Sequence, residues 1–196
     1  MTPADQWMHL DPDHPAIARA FGLPQDASGA RFALYPFRVN RIEGVWHVLA
    51  AWPCPRTIGA LDTDASGVLS VIAWNPSDNT HRLIGDQQPQ LVGRIDRDFS
   101  DQATIYGNAQ QFFRAWIANR LAFWRNMKTQ GLALEPDIVP GALAVGDIRH
   151  IRLPLTVMPE RITCVGINPG AVNHRIHELA KLPHASAKIE SIGVAA

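Results

Sequence analysis

The chain has 196 residues, of which 46% are hydrophobic and 18% are charged, and its 18 basic residues balance its 18 acidic ones. This length suits one globular domain, 1–196, that buries roughly 70% of the surface its unfolded form exposes. The composition disfavours disorder, and the absence of a basic excess disfavours nonspecific coating of nucleic acid. Without a membrane-length apolar run or a signal-peptide pattern, we expect a soluble, cytoplasmic protein with no membrane partner.

The residue usage gives two smaller expectations. Frequent Pro, Arg and Ala residues favour a bacterial or phage source. Cys54 and Cys164 lie far apart and neither belongs to a C-x-x-C pair. We therefore expect buried free thiols and neither a zinc ribbon nor a redox dithiol.

The first half of the chain is predicted to form a short helix followed by a β-meander. The helix, over 16–21, begins after Asp13 or His14 and ends at Gly22. From residue 31 to 95, strand-like runs alternate with turn residues: RFALYPFRV, GVWHVLAAW, TIGAL, VLSVIAWN, HRLI and QLVGRI. The turns DASG and NPSDNT are short enough to join antiparallel neighbours.

A long amphipathic helix over 109–129 is the clearest element of the sequence. Asn108 is its predicted N-cap, Gln111 is its third residue, and Gly131 follows its end. At about 100° per residue its large apolar side chains fall on one arc: Phe112, Phe113, Trp116, Ile117, Phe123, Trp124 and Met127. We expect the sheet to bury this arc, because a patch of this size is rarely left exposed; a protein partner is the alternative cover.

Four basic residues of the same helix are the predicted binding residues: Arg114, Arg120, Arg125 and Lys128. Three of them lie opposite the apolar arc, where they can form a local basic patch that contacts nucleic acid. Arg120 lies within the arc, where an unpaired guanidinium is costly. We expect it to find a carboxylate, to reach an edge, or to face another molecule.

The C-terminal third is predicted to add strands and one more helix. LALEPDIVPGALAVGD indicates a loop and a short strand, IRHIRLPLTV an edge strand, and RITCVGI a buried strand. Asn168 and Pro169 suit the cap and first turn of a helix over 171–182, and AKIESIGV suits a final strand. The first amides of that helix could hold a phosphate or carboxylate, although ordinary capping explains the same residues.

These elements together predict an α+β fold. Its sheet is largely antiparallel, built from residues 31–95 and extended by the C-terminal strands, and one long amphipathic helix and two shorter helices pack on it.

The string LDTDASGVLS resembles the calcium loop of EF-hand proteins. Asp62, Asp64, Ser66 and Gly67 occupy its positions one, three, five and six. The resemblance implies an oxygen site for calcium, whereas position twelve, where the family has a glutamate, is Ala73. A β-hairpin whose aspartates bond their own turn amides explains the same string.

The same aspartates resemble the D-x-D-x-x-G motif of Toprim domains. Glu43 and Gly44 are similar to the upstream acidic motif of that family, while His47 stands where a third acidic residue is expected. This resemblance implies magnesium-dependent chemistry on nucleic acid. Asp62 and Asp64 would then be ligands and Glu43 an acid or base.

Two functions are therefore expected from the sequence. The first is a non-enzymatic binding or accessory protein without a cofactor, which contacts another protein, a second copy of itself or nucleic acid. The alternative is a Mg- or Ca-dependent enzyme acting on nucleic acid or phosphate esters, with a metal site of Asp62, Asp64 and Ser66. Convergence of Glu43 with the two aspartates would favour the enzyme.

Overall fold

The computed structural model describes residues 10, 13–24, 29–52, 70–84, 90–94, 102–130, 141–151, 161–179 and 188–192. Within these ranges the α-helices are α1 (His14–Phe21), α2 (Ala30–Leu34), α3 (Ala109–Gln130) and α4 (Pro169–Leu179), with a 3-10 turn at Ile148–His150. The strands are β1 (Phe37–Ile42), β2 (Val45–Trp52), β3 (Ser70–Trp74), β4 (His81–Ile84), β5 (Gln90–Arg94), β6 (Gln102–Tyr106), β7 (Gly141–Val145), β8 (Arg161–Val165) and β9 (Lys188–Ile192).

The first four strands form an antiparallel meander in the order β1-β2-β3-β4. Glu43 and Gly44 make the two-residue turn between β1 and β2, with φ angles of 54° and 82°. Two positive φ angles are typical of the turn that matches the twist of a tight hairpin. Between β3 and β4 the Asp78 carboxylate accepts hydrogen bonds from Thr80, as expected for a turn rich in Asn, Asp and Ser.

The other five strands form a second sheet in the order β5-β7-β6-β8-β9. Strand β5 pairs antiparallel with β7, whereas β7, β6, β8 and β9 run parallel to one another. Helix α3 connects β6 to β7, and α4 connects β8 to β9, so this part of the chain is built from two β-α-β units. Parallel neighbours need such crossover connections.

Helix α3 packs against both sheets and supplies the centre of the main core. Phe112, Phe113, Trp116 and Ile117 are at most 2% exposed. They pack with side chains of α1, of the meander and of β7, among them Phe21, Phe37, Val48, Trp74 and Leu143. The first half of the predicted arc is therefore buried against the sheets, as expected. In the second half, Phe123 and Trp124 stack on Phe32 of α2, and Trp124 and Met127 are only half-buried.

The opposite face of the second sheet has its own core. Ile105, Ile162 and Cys164 point to that face and pack with Val172 of α4 and with the 3-10 turn. The two crossover helices therefore cover opposite faces of one parallel sheet, as in doubly wound α/β arrangements.

The α+β class, the long helix and most strands are confirmed, but three details were wrong. The C-terminal strands do not extend the meander; they pair with β5 and β6 in a separate sheet. Residues 30–34 are helical, because Ala30, Ala33 and Leu34 bury one face at helical spacing, and the strand begins only at Phe37. Residues 148–150 form a 3-10 turn capped by Asp147 where a strand was predicted.

Strand β6 was not predicted from the sequence.

The three predicted helix starts are confirmed. The side chains of Asp13, Asn108 and Asn168 each accept a hydrogen bond from a backbone N–H in the first turn of their helix. Among the residues that the structure describes, no helix is long and apolar enough to cross a membrane.

Candidate functional site

The carboxyl ends of β6 and β8 lie side by side, and the chain leaves them toward opposite faces of the sheet. After β6 the chain enters α3 on the face of Tyr106 and Leu143, and after β8 it enters α4 on the face of Ile105 and Cys164. This is a topological switch point. In open α/β sheets, ligands bind outside the carboxyl ends of the strands at such a point.

Two short glycine-containing loops form this edge, and their backbones touch. Gly107 donates its N–H to the carbonyl of Val165 at 2.9 Å. A Cβ at Gly107 would lie 2.4 Å from the carbonyl oxygen of Gly166, and Gly166 itself has a φ of +66°. Glycine is therefore required at both positions, because a side chain would push the loops apart or strain the backbone.

Each loop ends in an asparagine that caps the following helix. The Oδ1 of Asn108 accepts from the N–H of Gln111 at 3.2 Å, and the Oδ1 of Asn168 accepts from the N–H of Gly170 at 2.8 Å. Neither helix has an acidic residue in its first turn. Two helix N-termini with uncompensated positive dipole ends therefore meet at one edge of the sheet.

The backbone amides that remain at this edge have no acceptor inside their helices. Ala109 and Gln110 are the first two residues of α3, and Ala171 is the third residue of α4. Amides in the first turn cannot donate within the helix and need a cap, water or a ligand. The Oε1 of Gln111 is buried between the loops without a hydrogen-bond partner, so the reciprocal half of the predicted capping box is not formed.

A third loop follows β7 at the same edge. Asp147 accepts hydrogen bonds from the side chain and the backbone of Arg149, and these bonds hold the pKa of the Asp147 carboxyl at about 2.

Cys164 is the last residue but one of β8, and burial raises the pKa of its thiol to about 11. This confirms the buried free thiol at Cys164, whereas Cys54 lies outside the described residues.

The solvent face of α3 carries three of the four predicted binding residues. Arg114, Arg125 and Lys128 are exposed, as expected. Lys128 places its ammonium 4.8 Å from the centre of the Trp124 ring. None of the three forms an ion pair with a residue in the described ranges.

Arg120, the fourth of these residues, is only 6% exposed. Its Nε and Nη2 atoms donate to the carbonyl of Phe32 at 3.3 and 3.1 Å, and its guanidinium lies 4.5 Å from the centre of the Phe32 ring. The sequence placed Arg120 within the apolar arc correctly. Its head group contacts α2, so this residue joins two helices and does not belong to the exposed basic face.

The acidic residues of the metal hypothesis are only partly described. Glu43 lies in the β1–β2 turn, where its carboxylate is 3.9 Å from Arg82 and both side chains are exposed. Asp62, Asp64 and Ser66 lie outside the described residues. Among the residues that are described, no cluster of three His, Cys, Asp or Glu side chains could hold a metal ion. The calcium and magnesium sites therefore stay predictions.

The sequence pointed to α4 as an anion site but not to the switch point. The switch point depends on β6, whose short run QATIY shows little alternation of apolar and polar residues. It also depends on the pairing of β6 with β8, which joins residues more than fifty positions apart. The repeated pattern of a glycine followed within two residues by an asparagine, at 107–108 and 166–168, is the sequence signal that marks the switch point.

Comparison with protein families, with curated proteins and with solved structures finds no match to this chain.

Proposed function

We propose that this protein is a binding protein that holds a phosphate-bearing ligand at the carboxyl edge of β6 and β8. The observation that carries the proposal is the meeting of two capped, acid-free helix N-termini at a topological switch point. A non-enzymatic binding role is also what the sequence favours, since its motifs form no complete catalytic set.

A phosphate fits this edge because the edge supplies donors and positive dipole ends. The free amides of Gln110 and Ala171 belong to partly exposed residues, and each can donate to a phosphate oxygen. Gly107 and Gly166 carry no side chain, so the two loops can touch and bring the two helix N-termini to one edge of the sheet. A neutral apolar ligand would leave the same amides without acceptors, which costs free energy for each group removed from water.

The proposal is tested by calorimetric titration with inorganic phosphate. We expect wild-type protein to bind phosphate and Gln110→Glu to bind it about tenfold more weakly, because a carboxylate about 6 Å from a doubly charged anion costs about 1.4 kcal/mol even in water. A new acid in the first turn favours the helix, so the variant is expected to stay folded.

The matched control is Ala118→Glu, which adds the same charge at an exposed position of α3 about 12 Å further along the helix. That distance exceeds the screening length at 0.1 M salt, so phosphate binding should be unchanged. Equal weakening by both variants, or no binding by wild type, would contradict the proposal. Magnesium-dependent hydrolysis of a phosphate ester that Asp62→Ala abolishes would establish the enzymatic alternative.

A further inference from the structure

The helices that cover the outer side of the main core are free of acidic residues. Helices α1, α2 and α3 contain no Asp or Glu in a chain with 18 acidic residues. They carry six basic residues: Arg19, Arg31, Arg114, Arg120, Arg125 and Lys128. The chain as a whole is neutral, so this helical layer concentrates positive charge on one part of the molecule.

The exposed cations of α3 lie along one stripe of the helix. Arg114, Arg125 and Lys128 fall within about 60° of one another around the axis. They extend over about 21 Å from first to last, since each residue rises about 1.5 Å. Ala118 and Ala122, also exposed, flank these cations on one side, about 20° and 60° beyond Arg125 around the axis. We call the surface formed by these five residues the basic stripe.

The charges of the basic stripe are available to a partner. Arg114 and Arg125 have no ion pair within the described residues, and Lys128 contacts only the Trp124 ring there. The stripe continues toward α1. The Nη2 atom of Arg114 lies 3.9 Å from the point where a side chain at Gly22, just after α1, would place its Cβ. The exposed Arg19 lies one turn before that glycine.

We propose that the basic stripe binds the sugar-phosphate backbone of a nucleic acid. A row of separated cations matches a regularly charged strand, and the small alanines beside them let a backbone lie close to the helix. An anionic membrane fits less well, because the apolar face that a surface helix would insert is buried in the core. An acidic protein fits less well, because Leu121, the large apolar residue at the centre of the stripe, packs against the main core and leaves no exposed anchor there.

This surface is separate from the phosphate site at the sheet edge, and its test uses different residues. Fluorescence anisotropy would measure binding of labelled single-stranded and duplex oligonucleotides at a series of salt concentrations. The test protein carries Arg114→Gln, Arg125→Gln and Lys128→Gln together. The control carries Arg41→Gln, Arg82→Gln and Arg161→Gln, which removes the same net charge from exposed positions outside the stripe and away from the carboxyl edge of β6 and β8.

We expect the wild type to bind at low salt and the stripe variant to lose about three units from the slope of log affinity against log salt concentration. Three units of slope correspond to roughly 60-fold in affinity between 50 and 200 mM salt. The control should keep most of the wild-type slope, and circular dichroism should show all three proteins folded.

Three results would overturn the inference. The first is absence of oligonucleotide binding at low salt. The second is equal weakening of the two variants, which would mean that net charge alone matters. The third is equal dependence on the stripe for anionic lipid vesicles or polyglutamate, which would mean that the surface does not select nucleic acid. None of these results bears on phosphate binding by the variants at Gln110 and Ala118.

Discussion

Replacing Trp116 with alanine tests whether α3 is the centre of the core. Trp116 is 2% exposed, and its ring centre lies 5.1 Å from that of Phe37. A buried aromatic side chain removes about 150 to 250 Å² from water, which at about 25 cal/mol per Å² gives an upper value of about 4 to 6 kcal/mol. Measured losses for Trp→Ala in protein cores are about 3 to 5 kcal/mol, so Trp116→Ala should approach the whole stability of a marginal domain.

Urea denaturation followed by circular dichroism measures this loss, and Trp46→Ala is the matched control. Trp46 is 51% exposed, and the guanidinium of Arg41 lies 4.8 Å from its ring centre. Its removal should cost less than about 1 kcal/mol. Similar losses for the two variants would refute the placement of Trp116 in the core. A stable Trp116→Ala monomer that has lost self-association would mean that a second copy covers this helix face.

Three further predictions concern the edge of the parallel sheet. Asn168→Ala should lower the free energy of unfolding by about 1 kcal/mol, because Gly170 loses its cap, and an unchanged denaturation midpoint would mean that the helix begins elsewhere. NMR titration should give Asp147 a pKa of about 2, and Arg149→Gln should return it toward 3.8. Because folding lowers this pKa, the ionised Asp147 stabilises the folded state fully above about pH 4, and this contribution is lost as the pH falls through about 2. An Asp147 pKa that is unchanged in the Arg149→Gln variant would contradict the pairing. The Cys164 thiol should resist iodoacetamide at pH 8 in folded protein and react once urea unfolds it, as mass spectrometry of its peptide would show.

Local sequence signals predicted those parts of the fold that depend on neighbouring residues. The caps Asn108 and Asn168, the spacing of Phe112 to Trp116 and the turn NPSDNT between β3 and β4 each act within a few positions, and the structure confirms them. The predicted turn DASG lies outside the described residues. The division into two sheets depends on which strands pair. That choice is fixed by the burial of Leu143 against α3 and of Ile162 against α4, and neither contact is visible in a local pattern.

The candidate site was harder to predict for the same reason. The sequence named the amides at the start of α4 but had no means of placing the start of α3 beside them. Arg120 shows a different limit: its position within the apolar arc was readable, but the carbonyl of Phe32 that accepts its hydrogen bonds lies 88 residues away. Side chains with distant backbone partners leave no periodic signal in the sequence.

The central claim is that the carboxyl edge of β6 and β8 binds a phosphate group, and an NMR titration with inorganic phosphate tests it most directly. The backbone amides of Gln110 and Ala171 should show the largest shifts and should saturate with one common affinity, because they are the partly exposed free donors at the two helix ends. Saturating shifts confined to other parts of the chain, or no shift at any phosphate concentration that leaves the protein folded, would contradict the claim.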